Sequence, residues 1–232
     1  MKPNTLFPSK EFKQLLDISD CELMHLRVSG KVNFIKKGNA FLYELQDEQQ
    51  LLKHPISSKL FDWYLDKHAI NIHNNPKEAE SINSVISIIK EILLPIYRHF
   101  GNINITYGFV SSELNRYIQK HSSSGTCPSI DQHSASELNQ ANNNICKRHG
   151  LACDFFVEGY ESEMDTIMLF IVKNLEFDKI YYYGKNNPIH VSVGNKSEKH
   201  LQIMNVSDNG RRIPGRKAYG NEAVKLAEEL IK

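Results

Sequence analysis

Between residues 77 and 100, apolar side chains recur at Ile82, Val85, Ile86, Ile89, Leu93 and Ile96, the three-and-four spacing of a helix with one apolar stripe. That spacing predicts the longest helix of the chain, bent or shortened at Pro95 and stopped by Gly101. Residues 103–107 alternate as a strand does, and a helix capped by Ser111 or Ser112 is expected to run to Lys120. Farther on, 151–157 reads as a strand, 161–174 as an amphipathic helix, 200–206 as another strand and 221–231 as a closing helix. Residues 179–183 and 189–193 form a predicted strand pair joined through Gly184-Lys185-Asn186-Asn187-Pro188. Upstream, the apolar runs 32–35 and 40–43 flank the turn-like Lys36-Lys37-Gly38-Asn39 and predict a hairpin, and 58–66 reads as a short helix.

Strands linked by short turns, with helices grouped before and between them, predict an α+β fold: an antiparallel sheet with flanking helices. Residues 1–100 read as an N-terminal hairpin and helical extension packed on a core of residues 101–232, the whole forming one compact unit. The stretch 121–144 stands apart. Its Ser, Asn and Gln content predicts a surface loop with a helical turn around 137–143, and so long a loop is uncommon unless it is functional or disordered.

Composition narrows the classes. With 232 residues, 41% apolar and 24% charged, the chain is neither disordered nor collagen-like. A chain of this length buries roughly 70% of its unfolded surface, so a bound metal would serve function before structure. Lys and Arg total 28 against 27 Asp and Glu, a net +1 that sets up no overall field toward nucleic acid or anionic lipid. The longest apolar run, 82–96, is interrupted by Lys90 and Glu91 and falls short of the roughly 18 residues of a membrane span. The first twenty residues carry Lys2, Lys10, Glu11, Lys13 and Asp17 and lack a secretory apolar region, so a cytoplasmic protein with no membrane partner is expected. Cys21, Cys127, Cys146 and Cys153 form no CxxC and fit reduced thiols.

Asp154 lies mid-strand in Leu151-Ala152-Cys153-Asp154-Phe155-Phe156-Val157, where an unpaired carboxylate is expensive to bury. In Ile189-His190-Val191-Ser192-Val193, alternation puts His190 and Ser192 on one face. Asp154 and His190 facing each other across neighbouring strands suit either a Zn²⁺ site or a buried Asp–His hydrogen bond.

Several blocks in order carry a resemblance. They are Ile103-Asn104-Ile105-Thr106-Tyr107-Gly108-Phe109-Val110-Ser111-Ser112-Glu113-Leu114-Asn115, Asp131-Gln132-His133, Gly150-Leu151-Ala152-Cys153-Asp154-Phe155, Phe177-Asp178-Lys179-Ile180-Tyr181 and Ile189-His190-Val191-Ser192. Together, over roughly residues 100–195, this stretch resembles the zinc D-alanyl-D-alanine carboxypeptidase family, which shares its fold with the hedgehog signalling domain. The resemblance implies that fold and one zinc ion on a His/Asp/His set in which Asp154 is the second ligand and His190 the third. The position matching the first ligand is Lys147, leaving His133 or His149 to replace it. His133 is favoured because its block aligns and the roughly 14-residue insertion it requires costs little closure entropy.

Two further positions depart from that pattern: the family's transition-state Arg matches Val110, and its acidic base matches Asn187. Candidate replacements are Asp131, Glu137, His149 and Tyr181, Tyr182 or Tyr183 for proton transfer, and Arg116 or Arg148 for charge. Arg211, Arg212, Arg216 and Lys217 crowd residues 209–217, and Arg211 and Arg212 are candidate substrate or phosphate contacts. The expected function is zinc-dependent hydrolysis of an amide-type bond in a peptide, a peptidoglycan-like or another small substrate. A zinc-containing interaction module, or an enzyme on a nucleotide or nucleic acid, is the alternative.

Overall fold

The computed structural model describes residues 6–65, 70–121 and 132–231. Two compact units make up the chain, Met1–Ser58 and Lys59–Lys232.

In the first unit, β1 (Leu6–Pro8), α1 (Ser9–Leu16) and α2 (Asp20–Val28) precede the hairpin of β2 (Phe34–Lys37) and β3 (Ala40–Glu44). The sheet order is β1-β3-β2 with both pairs antiparallel. The hairpin lies where the turn signal predicts it, with Gly38 at φ 60°. Phe7, Phe12, Leu15, Leu23, Tyr43 and Leu51 fill the core, and Phe12 stacks on Tyr43 at 5.1 Å between ring centroids. Neither short helix was expected: eight and nine residues give too few apolar repeats to stand out from the surrounding charge.

After α3 (Pro55–Asp62), within which the units divide, the predicted long helix runs as α4 (Ala79–Ile88), a π-helical turn (Ile89–Leu93) and α5 (Leu94–Phe100). Pro95 falls inside this continuous helix, where its missing N–H removes a ladder bond, and the π-helical turn directly before it, with Leu94 N–H reaching back to Ile89 O, is where the ladder departs from α spacing. Ile88, Ile89, Ile92, Leu93 and Leu94 have no exposed surface, each burial contributing about 1.5–3 kcal/mol. Then come β4 (Ile103–Tyr107), α6 (Ser112–His121), β5 (Leu151–Val157), α7 (Met164–Asn174), β6 (Lys179–Tyr182), β7 (Ile189–Val193), β8 (His200–Val206), β9 (Arg212–Tyr219) and α8 (Gly220–Ile231).

The fold is α+β, but its six-stranded sheet, ordered β4-β5-β7-β6-β8-β9, is mixed. After β7 the chain crosses to the far side of β6 and lays β8 parallel to it, with Lys179 opposite His200 and Tyr182 opposite Ile203. The remaining pairs are antiparallel. The basic segment 209–217 is largely β9, an edge strand whose Gly215 and Pro214 disguise it in sequence.

Strand alternation gives the sheet two unlike faces. Leu151, Cys153, Phe155 and Val157 of β5, with Ile189, Val191 and Val193 of β7, form the apolar face on the side of α4, α7 and α8. Opposite it, register aligns Asp154, His190, Tyr181 and Gln202 in one row and Ala152, Ser192, Lys179 and His200 in the next.

Of the polar segment 121–144, residues 122–131 lie outside the described residues and 139–144 are exposed as composition predicts, but 132–137 are buried. Gln132, His133, Ser134, Ser136 and Glu137 are all buried, and in place of a helical turn at 137–143 there is a chain reversal with an antiparallel bridge between Leu138 and Asn144. Only some of these side chains satisfy backbone groups there, and Ser134 Oγ and Gln132 Oε1 are buried with no hydrogen-bond partner among the described residues. Glu137 accepts the N–H groups of Lys77 and Glu78 at 2.9 and 3.2 Å, and Ser81 Oγ accepts Ser136 N–H at 3.2 Å.

Candidate metal centre

Asp154 and His190 are direct cross-strand partners, and His190 Nδ1 lies 2.6 Å from Asp154 Oδ1. His133 arrives from the buried segment. Its carbonyl accepts Val110 N–H at 2.9 Å, while the preceding Gln132 accepts Ala152 N–H at 3.4 Å and donates its side-chain amide to His149 O. Gln132 has φ 64° and Ala135 φ 44°, so two left-handed residues bracket the turn that carries His133. The turn is thereby stitched to β5 and to the exit of β4.

His133 Nδ1 is 3.1 Å from Gly108 O, and since a carbonyl only accepts, Nδ1 carries the proton and Nε2 holds the lone pair. Nε2 is 3.7 Å from Asp154 Oδ1. One ligand atom from each of His133, Asp154 and His190 lies within 4.8 Å of the others. In a tetrahedral shell with bonds near 2.0–2.1 Å, ligand atoms stand about 3.3 Å apart, and the observed 2.6 and 3.7 Å bracket that spacing. Two imidazoles and a carboxylate are a donor set for Zn²⁺ and similar borderline divalent ions. The other nitrogen of His190, Nε2, is buried with no hydrogen-bond partner among the described residues, and a metal on Nδ1 would leave it so.

Aromatic rings hold both imidazoles. Trp63, Tyr107, His133, His190 and Tyr181 follow one another at centroid distances of 4.2, 4.5, 5.2 and 4.8 Å. The Trp63 indole N–H donates to Phe109 O at 2.9 Å. The His133 and His190 side chains are 4% and 1% exposed, whereas that of Asp154 is 25% exposed, so the group opens to solvent on the carboxylate side. Cys153, next in the chain, points to the opposite face. Burial, and second the Asp154 charge, push its thiol pKa well above the usual value, which keeps it protonated and unsuited to metal.

His149 does not join the group: its side chain is 58% exposed and faces Glu80 at 3.9 Å. With Arg148 it lines a cleft of about 300 Å³ beside Gln132, together with Asp178, Lys179 and Asn195, and none of the three clustered residues lines that cleft. Tyr183 lies under the Arg212 guanidinium at 5.2 Å, and Arg212 donates to Tyr183 O at 3.4 Å and to Asn187 Oδ1 at 3.0 Å. Arg211 is exposed in the β8–β9 turn, where its carbonyl accepts Ser207 N–H at 2.9 Å. Asp131 lies outside the described residues. Val110 is fully buried, and Glu137 is committed to the backbone before α4. Sequence reasoning missed Gly108, Tyr107 and Trp63; a glycine directly after a strand was the one available signal for the first.

Compared with protein-family profiles, curated proteins and solved structures, the chain finds no match. Among the described residues no helix is long and apolar enough to cross a membrane.

Proposed function

We propose that this chain is a zinc-dependent hydrolase, with one zinc ion held by His133 Nε2, an Asp154 carboxylate oxygen and His190. The observation that carries the reading is the cluster itself, a donor set in which one tautomer is already fixed by Gly108 O. A zinc ion on three protein ligands supplies a bound water acidic enough to be a nucleophile near neutral pH and a Lewis acid for a carbonyl. Gly108 O orients His133, and the Tyr181 ring holds the plane of His190. The solvent-facing side of Asp154 is the approach for an amide-type bond in a peptide or peptidoglycan-like substrate. Arg212, over Tyr183 and beside Asn187, is a candidate cation for a substrate carboxylate. The ordered blocks that resemble the D-alanyl-D-alanine carboxypeptidases support the same reading.

A second reading, a zinc-containing interaction module that has lost catalysis, is favoured by Val110 and Asn187. Val110 is in the core, and Asn187 donates its amide to Tyr183 O at 3.0 Å while accepting from Arg212. Elemental analysis of the purified protein beside His133→Ala, His149→Ala, Asp154→Ala and His190→Ala tests the site. About one zinc per chain, lost in all but His149→Ala, is expected. A metal-free wild type after zinc reconstitution overturns both readings. Release of product from muropeptides by the zinc-loaded wild type, abolished in Asp154→Ala, supports the hydrolase over the module, and zinc-loaded protein that cleaves nothing and leaves its metal closed to a hydroxamate supports the module.

A further inference from the structure

Nothing in the proposed reaction uses the N-terminal unit, and its surface is polarised. Helices α1 and α2 are joined by only Asp17, Ile18 and Ser19. Asp17 ends α1 in the left-handed region at φ 54° and ψ 50°, a conformation Asp tolerates better than most residues. Ser19 starts α2 with a capping box in which its side chain accepts Glu22 N–H while Glu22 returns to Ser19 N–H at 2.8 Å. Two helices with so short a turn, followed by a β-hairpin, have the element order of a helix-turn-helix with an appended wing. The parts are locked together: Phe12 of α1 stacks on Tyr43 of β3, and Arg27 of α2 lies 4.0 Å over Phe41 and donates to Tyr43 Oη at 3.1 Å.

The second helix is held by one face alone. Leu23 is its buried residue, while Cys21, Met24, His25 and Val28 are exposed, as is every residue of β2. No acidic residue occurs between Glu22 and Glu44, a stretch holding His25, Arg27, Lys31, Lys36 and Lys37. The acids at the start of α2 are already engaged, Asp20 by Lys13 at 2.6 Å and Glu22 by the cap. At nine residues α2 is about 13 Å long, and a helix diameter of about 10–12 Å with side chains fits a B-DNA major groove about 12 Å wide.

We propose that this unit binds duplex DNA, with α2 in the major groove and the β2–β3 hairpin on the adjoining phosphates. Lys31, Lys36 and Lys37 supply the phosphate contacts. Met24 at 45% exposure and Val28 at 79% supply apolar contacts of the kind made with thymine methyls, which accounts for large apolar side chains in a basic surface.

The test is fluorescence anisotropy of a labelled random-sequence duplex of ~20 base pairs titrated with the full-length chain across a salt series. Binding is expected, with a log–log salt slope of about −3 for three phosphate contacts. Lys36→Ala/Lys37→Ala should weaken it at least tenfold at low salt and shrink the slope by about 2, and Val28→Glu, at a position that needs no packing, should abolish it. Arg211→Ala/Arg212→Ala should leave it unchanged, and circular dichroism confirms that each variant folds. No salt-dependent binding overturns the proposal, as do binding indifferent to Lys36 and Lys37, loss caused by Arg211 and Arg212 instead, or light scattering in which Val28→Glu dissolves an oligomer of a chain that binds no DNA.

Discussion

Replacing Gly108 with alanine probes the candidate metal centre through a single methyl group. An ideal Cβ at this position would stand 2.3 Å from Leu60 O and 2.8 Å from Trp63 Cδ1. A carbon–oxygen contact requires about 3.3 Å or more, so one of the two backbones must withdraw by about 1 Å. Leu60 O is itself tied, accepting Phe109 N–H at 3.0 Å, so the strain falls on the 108–109 peptide. The Gly108 carbonyl accepts from His133 Nδ1 at 3.1 Å, and a displacement of that size carries the pair out of hydrogen-bond range. His133 then loses both its fixed tautomer and its ring orientation. Loss of such an outer-shell partner costs 10–100-fold in metal affinity, about 1.4–2.8 kcal/mol. Competition against a chromophoric zinc chelator, well below the melting temperature, reads the effect apart from the 1–3 kcal/mol or so that overpacking removes from folding. The expected result is a zinc Kd raised 10–100-fold with stoichiometry still near one. Gly159→Ala serves as control: Gly159 has φ 82° and nothing within 4 Å of a Cβ, so it suffers backbone strain with no route to the site. A folded Gly108→Ala protein with unchanged zinc affinity, or an equal loss in Gly159→Ala, would refute the reasoning.

Zinc at 100 times its Kd should stabilise the wild type by about 2.7 kcal/mol and raise the melting temperature of a unit this size by roughly 5–11 °C, seen by thermal denaturation with and without chelator. Asp154→Ala should show no shift, and an equal shift there would mean the ion binds elsewhere. His200 stacks on Tyr219 at 4.4 Å, and its pKa is lowered chiefly by burial and then by Lys179 and Lys217, against smaller opposing effects of Glu198 and Asp178. The unfolded chain, titrating near 6.5, therefore takes up this proton first, and stability present above that pH is lost as pH falls toward the folded value. Urea denaturation at pH 7.5 and 5.5 should show the wild type losing more stability than His200→Phe, and an equal loss in both would contradict the assigned direction. Glu137→Ala leaves two N–H groups at the start of α4 without their acceptor and should cost about 2 kcal/mol or more, with Glu137→Gln recovering most of it; urea denaturation decides, and a fully stable Glu137→Ala would show that those bonds contribute nothing.

What could be read without the structure was whatever repeats within a few residues. The stripe Ile82, Val85, Ile86, Ile89 and Leu93 is legible because a helix returns to the same side every three or four positions, and the structure keeps it in α4 and the π-helical turn that follows. Alternation in 189–193 likewise placed His190 on a defined strand face, and Asp154 stood out as the one carboxylate within the apolar strand 151–157. The α+β class followed from the order of those elements. Short-range pattern was silent where the stabilising partner is far along the chain. α1 and α2 are too short to announce themselves, and β9 interrupts its own pattern with glycine and proline at an edge that tolerates them. That β8 runs parallel to β6 is set by which side of the sheet the crossover after β7 takes, a decision of packing rather than of residues 194–199 alone. The same holds for the candidate site. The local sequence determined the residue types and the face of His190, and the ordered blocks favoured His133 over His149, whereas the contacts that bring His133 to the other two and leave His149 outside belong to the tertiary structure. His133 is there because Val110 and Ala152 donate to the backbone of its turn and Gly108 accepts from its ring, and bonds between residues tens of positions apart leave no periodicity in the chain from which to infer them.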